Sequence, residues 1–268
     1  MKKLIVFNWK MAPDSLKKAK QLFNLALNSS AKGGKSHILN SEIVVCPPFI
    51  YLSELVGLIN KTKIKLGAQN VFWENPLVGG GVYTGEISPK MLKNLGVEYA
   101  IIGHSERRKY LNETDEIINK KVLAALKAGL KVILCIGEDL SIRKRGKKAV
   151  EKFIKNQLGK DLKNLSLNSI RQLADSILNS RLIIAYEPIW SIGTGHSDTP
   201  QDALEIIKFI KETLNSQFSI LNSKILYGGS VDSKNIVKFL KHPEIDGALI
   251  GHASLKTGEI RKIFKELY

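Results

Sequence analysis

Residues 182–214 read LIIAYEPIWSIGTGHSDTPQDALEIIKFIKETL. Five apolar residues, Leu182–Tyr186, stop at Glu187 and Pro188. A turn rich in Gly and Ser follows. Pro200–Leu214 then places Ala203, Ile207, Ile210 and Leu214 on one helical face. Thr199 is the expected N-cap, Pro200 the first helical residue, and Asp202 stands three positions after the cap. The stretch is one strand–turn–helix unit.

The unit recurs in both directions along the chain. Apolar runs at Leu4–Asn8, Ile43–Cys46, Ile64–Gln69, Tyr99–Gly103, Val132–Ile136, Ile225–Tyr227 and Ala248–Ile250 join Leu182–Tyr186 to make eight. Most are continuous rather than alternating, as parallel strands covered on both faces should be. Gly96 and Gly129 each end a helical segment before a strand, where a left-handed C-cap is wanted. Eight units in 268 residues fit a closed α/β barrel, (β/α)8, better than an open doubly wound sheet. No Gly-, Pro- or Ser-rich linker divides the chain, so residues 1–268 are expected to form a single domain. The long gap from Asp139 to Arg181 should hold the fifth helix and a second short helix around Ser169–Leu178.

Composition narrows the functional classes. With 44% apolar and 25% charged residues, the chain can build a large core and is not disordered or fibrous. Cys46 and Cys135 lie inside apolar runs and read as buried thiols of a reducing compartment, not a disulfide framework. No apolar run approaches the ~18 residues of a membrane span, and Leu4–Phe7 is too short for a signal peptide. A cytoplasmic protein with no membrane partner is expected. Lys and Arg number 41 against 25 Asp and Glu, a net charge of +16. Lysines dominate and are spread along the chain. The densest cluster, Arg143–Lys155, reads as a solvated helix face rather than a polyanion patch, and nucleic acid is not an expected partner.

Barrel chemistry sits at the C-terminal ends of the strands. There the sequence places Asn8 and Lys10 after the first run, and His104, Ser105 and Glu106 after the fourth. Glu187 and Pro188 follow the sixth, Gly228-Gly229-Ser230 the seventh, and Gly251-His252 the eighth. A base, an electrophile and a cation thus converge beside two small-residue turns. Backbone N–H groups of Ser230, Gly251 and His252, with Gly193 as a fourth, could cradle a phosphate. Ser105 is a good N-cap, so His104 lies at a helix start, where the positive helix end favours neutral imidazole. Pro188 keeps Glu187 extended. Glu187 reads as a base, as the ion-pair partner of Lys10 across the mouth, or as both. No metal-ligand spacing is present.

The peptides NWKM, GHSERR, AYEPIWSIGTG and YGGSV, in that order, resemble the triosephosphate isomerase family. CPPFIYL, GAQN, YTGEISPKML, KVILCIGE and DGALIGHASL extend the likeness over essentially the whole chain. The resemblance implies a TIM barrel and a cofactor-independent aldose–ketose isomerisation of triose phosphates through an enediolate, in glycolysis and gluconeogenesis. By that likeness Glu187 is the base, and His104 the neutral electrophile and proton shuttle. Lys10 and Asn8 give electrostatic stabilisation; Ser105 and Glu106 support them. Asn8, Lys10, Gly193, Ser230, Gly251 and His252 would bind substrate. Pro188, Ile189, Trp190, Ser191, Ile192, Gly193 and Thr194 would form a mobile lid, latched by Tyr227 and Ser230 when closed and contacting Glu138 through Trp190. The resemblance also implies a homodimer through the Val71–Glu86 loop, with Thr84 reaching the Asn8 and Lys10 region of the partner.

Three positions depart from the family pattern. His252 stands where a second glycine is usual, and an ordinary φ is expected there. The segment Glu74–Gly81 is longer than usual, and Met11-Ala12-Pro13 lacks the usual polar residue after the methionine. Two other readings remain beside this one. A different sugar-phosphate barrel would not be expected to combine Lys10, His104 and Glu187 with this lid sequence. A basic protein using Arg143–Lys155 on polyanions would bind nucleic acid with a steep salt dependence.

Overall fold

The computed structural model describes residues 2–31, 41–59, 64–75, 82–165, 180–192 and 198–267. Eight parallel strands close into a barrel in sequence order: β1 (Leu4–Asn8), β2 (Glu42–Cys46), β3 (Ile64–Ala68), β4 (Tyr99–Ile102), β5 (Lys131–Ile136), β6 (Leu182–Tyr186), β7 (Lys224–Tyr227) and β8 (Gly247–Ile250). Closure is made by β1 on β8, with Leu4 opposite Gly247 and Phe7 opposite Ile250. The predicted strands agree with these to within one residue at each end. Helices lie between the strands and cover the outside.

The continuous apolar runs have a simple cause. Alternate residues point to opposite faces. Leu4, Val6, Val44, Cys46, Ile101, Ile133, Cys135, Ile183, Ala185, Leu226 and Leu249 fill the barrel interior. Their neighbours Ile5, Phe7, Ile43, Val45, Ala100, Ile102, Val132, Leu134 and Ile184 pack under the helices. Apart from the N-terminal strand ends, where Glu42, Lys65, Lys131 and Lys224 are half-buried, neither face meets water, so both are apolar. Tyr99 plugs the N-terminal end of the barrel, where its hydroxyl donates to Glu42 Oε1 at 2.6 Å.

Helix Pro200–Phe218 starts as its sequence predicts. Thr199 is the cap, its Oγ1 accepting the Asp202 N–H at 3.1 Å, and the buried face includes Ala203, Ile207, Ile210 and Leu214. It runs four residues past the predicted end, because Ser219 takes the left-handed C-cap with φ 56° where no glycine marks it. Gly96 and Gly129 do take positive φ, 101° and 84°. Between β5 and β6 lie helices Leu140–Arg143 and Lys147–Asp161. The helix expected around Ser169–Leu178 lies outside the described residues. Both cysteines are buried free thiols, and burial pushes each above its ordinary range. No helix among the described residues is long and apolar enough to cross a membrane.

Candidate active site

The mouth is built from strand ends, beginning with β1. Asn8 is its last residue and is buried; its Oδ1 accepts the Lys10 N–H at 3.0 Å. That turn sets Lys10 at φ 54°, a left-handed conformation that a side-chain-bearing residue holds only when its surroundings over-determine it. Gln69, following β3, supplies the restraint. Its Nε2 donates to Lys10 O at 2.8 Å and to Cys46 O at 2.9 Å, tying the ends of β1 and β2 together. A Cβ on Gly251 would lie 3.0 Å from Lys10 Cε, so the glycine lets the lysine stem pass the β8 turn. The Lys10 ammonium pairs with Glu106 Oε1 at 2.5 Å.

His104 follows β4 and is itself the N-cap of the turn Ser105–Tyr110, correcting the assignment of that cap to Ser105. Its Nδ1 accepts the Glu106 N–H at 3.2 Å. With Nδ1 in that accepting role, Nε2 is the ring nitrogen left to donate. Nε2 lies 3.3 Å from Glu187 Oε1. Ser105 contributes through its backbone, whose N–H donates to Glu187 Oε2 at 2.9 Å. Glu187 therefore faces His104 and Ser105, while Lys10 takes Glu106; the ion pair of Glu187 with Lys10 does not form.

Glu187 is almost wholly buried, at 2% exposure, and two glycines make room for it. A Cβ on Gly137 would fall on its carbonyl oxygen, and one on Gly228 would lie 3.0 Å from its Cγ. The 3-10 turn Ile189–Ser191 follows. Trp190 Nε1 donates to Glu138 Oε1 at 2.9 Å, and the Tyr186 hydroxyl lies 3.1 Å from both Glu138 oxygens. Burial raises the Glu138 carboxyl above its usual range despite these donors.

The turns after β7 and β8 carry Ser230, Gly251 and His252, whose backbone N–H groups have no acceptor among the described residues. Ser254 Oγ, fully buried, donates to Gly251 O at 2.6 Å and lies 3.3 Å from Asn8 O, which holds the β8 turn against β1. His252 opens the 3-10 turn His252–Leu255 without positive φ, as expected. Gly193 and Thr194 lie outside the described residues. Among those described, no group of three or more His, Cys, Asp or Glu is arranged to hold a metal ion.

With this geometry in place, likeness to known proteins adds the family. The triosephosphate isomerase family model matches residues 3–267. The chain belongs to the triosephosphate isomerase family. It is 44% identical over 266 residues to the triosephosphate isomerase of Caldanaerobacter subterraneus subsp. tengcongensis, covering 97% of both chains. The triosephosphate isomerase of Dictyoglomus thermophilum is 42% identical over 270 residues, covering 98% of this chain and 99% of that one. That of Gloeothece citriformis is 42% identical over 266 residues, covering 98% of each. Two residues at this mouth escaped the sequence reading. Gln69 carries its signal in GAQN, but its role depends on two carbonyls distant in the chain. Arg143 was read only as part of a basic run.

Proposed function

We propose that the chain interconverts dihydroxyacetone phosphate and D-glyceraldehyde 3-phosphate without a cofactor, in the cytoplasm, as a step of glycolysis and gluconeogenesis. The observation that carries this reading is the meeting of a buried carboxylate, Glu187, with Nε2 of His104, 3.3 Å away, at a mouth that also holds Lys10.

In this reading Glu187 takes the proton from the carbon next to the carbonyl, and the C–H electron pair becomes the second bond of an enediolate. The Nε2–H of His104 polarises the carbonyl oxygen and passes a proton between the two oxygens. Glu187 then returns its proton to the neighbouring carbon, so the exchange balances without an external acid or oxidant. The Lys10 ammonium and the Asn8 amide stabilise the developing negative charge in a water-poor site. The unpaired N–H groups of Ser230, Gly251 and His252, with Gly193, are the proposed phosphate cradle. Pro188 to Thr194 form the proposed lid, which would shield the enediolate from water.

The proposed assembly is a homodimer. Met11, Ile50, Val82, Tyr83 and Met91 expose large apolar side chains on units one to three, which are adjacent in the barrel. Phe72 and Tyr83, with ring centroids 4.7 Å apart, brace the described part of the Val71–Glu86 loop. Thr84 is its proposed contact with the partner's active-site region. Pro76–Gly81 lie outside the described residues.

Isomerisation of glyceraldehyde 3-phosphate, coupled to glycerol-3-phosphate dehydrogenase, tests the reaction. Rapid turnover by the wild type, and a fall of roughly a thousandfold or more in Glu187→Gln, is expected. A folded, dimeric wild type that does not turn over would overturn the reading.

A further inference from the structure

Arg143 stands where three elements meet, and the proposed chemistry gives it no task. It ends the short helix Leu140–Arg143 after β5. Its guanidinium lies over the Trp190 ring, 5.2 Å from the centroid. Its Nη2 is 3.0 Å from Asp202 Oδ2 and 3.5 Å from Asp198 Oδ1. Asp202 sits in the first turn of helix Pro200–Phe218, and Asp198 immediately precedes its cap. Asp198 is buried; its Oδ1 accepts the Thr199 N–H at 2.9 Å, and its Oδ2 has no partner among the described residues. One cation thus holds an indole on one side and two helix-anchored carboxylates on the other. Only Asp198 of the cluster is buried; Arg143 is partly exposed and Asp202 about half exposed.

The reach of the cluster depends on what Trp190 is attached to. Glu187 is three residues away, and the link between them is stiff. Pro188 fixes its own φ, the Ile189 N–H donates to Glu138 O at 3.0 Å, and the Ser191 N–H donates to Pro188 O at 2.8 Å. The Ser191 hydroxyl donates to the same carbonyl at 2.9 Å. The turn that carries Trp190 directly follows Glu187, so a shift of that turn is passed to the Glu187 backbone through this braced link. We infer that Arg143 is a positioning residue for Glu187, holding the Pro188–Ser191 turn against helix Pro200–Phe218 through the face of Trp190. The inference rests on Glu187 being the base. Arg143 itself touches neither substrate nor reacting atoms.

Arg143→Met and Arg143→Lys, compared in the isomerase assay, test this. Arg143→Met keeps an apolar stem beneath the ring and removes the cation. A misplaced base slows chemistry more than binding, so kcat should fall roughly five- to twentyfold while KM changes less than about twofold. Arg143→Lys restores a cation and should recover kcat to within about threefold of wild type. A second readout does not depend on turnover. Protein labelled with 5-fluorotryptophan gives one fluorine resonance for each of Trp9, Trp73 and Trp190, and Trp190→Phe assigns the last. Arg143→Met should shift or broaden the Trp190 resonance alone. Unchanged kcat, an unmoved Trp190 resonance, or a loss of activity that only follows a loss of folded protein would each overturn the inference. If the wild type itself proved inactive on triose phosphates, a moved Trp190 resonance would show that the hold exists and that the assignment of Glu187 is what failed.

Discussion

The Glu106 N–H points at Nδ1 of His104, and this one donor decides what the histidine can do. With Nδ1 accepting, Nε2 is left as the donor, 3.3 Å from Glu187 Oε1, where it can serve a substrate oxygen. Nitrogen NMR of the folded protein near neutral pH should show His104 as the Nε2-protonated neutral tautomer. His104→Gln should lower kcat by roughly a hundredfold while leaving the fold intact. Asp198 carries a different kind of prediction. Burial, outweighing Arg143 at 3.5 Å, pushes its carboxyl up to about 7. A folded-state value above the unfolded one means the native protein holds that proton more tightly. Its contribution to stability is therefore full below the unfolded value of 3.8 and is lost as pH rises through about 7. Wild type should lose thermal stability between about pH 4 and about pH 7, and Asp198→Asn should lessen that loss. Equal slopes in the two proteins would show that Asp198 does not titrate in this window.

Among the elements, the β6 and β7 ends show how backbone spacing sets side-chain chemistry. The Glu187 N–H donates to Ile136 O at 2.7 Å and the Gly228 N–H to Tyr186 O at 2.7 Å, so three strand ends advance in step around the base. A Cβ on Gly228 would press on Glu187 Cγ at 3.0 Å and on Tyr186 O at 3.2 Å. The carboxylate is the softer neighbour and would move. Gly228→Ala should therefore cost about tenfold in kcat with a much smaller change in unfolding midpoint; a large stability loss with normal kcat would contradict it. The β-strands were legible because burial on both faces leaves a continuous apolar run. The end of helix Pro200–Phe218 was not, because Ser219 accepts a left-handed φ and polar residues such as Asn215 and Ser216 carry no terminating signal. The cap at His104 was misread for a related reason. Ser105 has the better capping side chain, but the turn begins one residue earlier, where an imidazole nitrogen serves instead.

For the whole molecule, the net charge of +16 finds a use if the substrate is a phosphate ester. The basic run Arg143–Lys155 is partly neutralised, since Arg143 pairs with Asp202 and Lys147 with Glu205 at 2.7 Å. Helix Lys147–Asp161 buries Val150, Ile154 and Leu158 and turns lysines such as Lys148, Lys152 and Lys155 to solvent, as a solvated face should. We propose that the diffuse excess that remains steers a phosphate substrate toward the mouth. Raising ionic strength from about 0.01 M to about 0.2 M should lower kcat/KM several-fold and leave kcat nearly unchanged. A salt-independent kcat/KM would remove steering as the role of the charge.

The sequence by itself determined the barrel, the order of its units, and which residue types stand at the strand ends. Those features are written in local pattern: apolar runs covered twice, helical periodicity, and short motifs at the turns. Only the tertiary structure decided that Lys10 pairs with Glu106 rather than Glu187, that Gln69 ties together the ends of β1 and β2, and that Arg143 joins Trp190 to Asp198 and Asp202. Each of these joins groups tens of residues apart. Their choice of partner is settled by angstrom-scale distances and competing acceptors in a closed barrel mouth, quantities that no single stretch of chain contains.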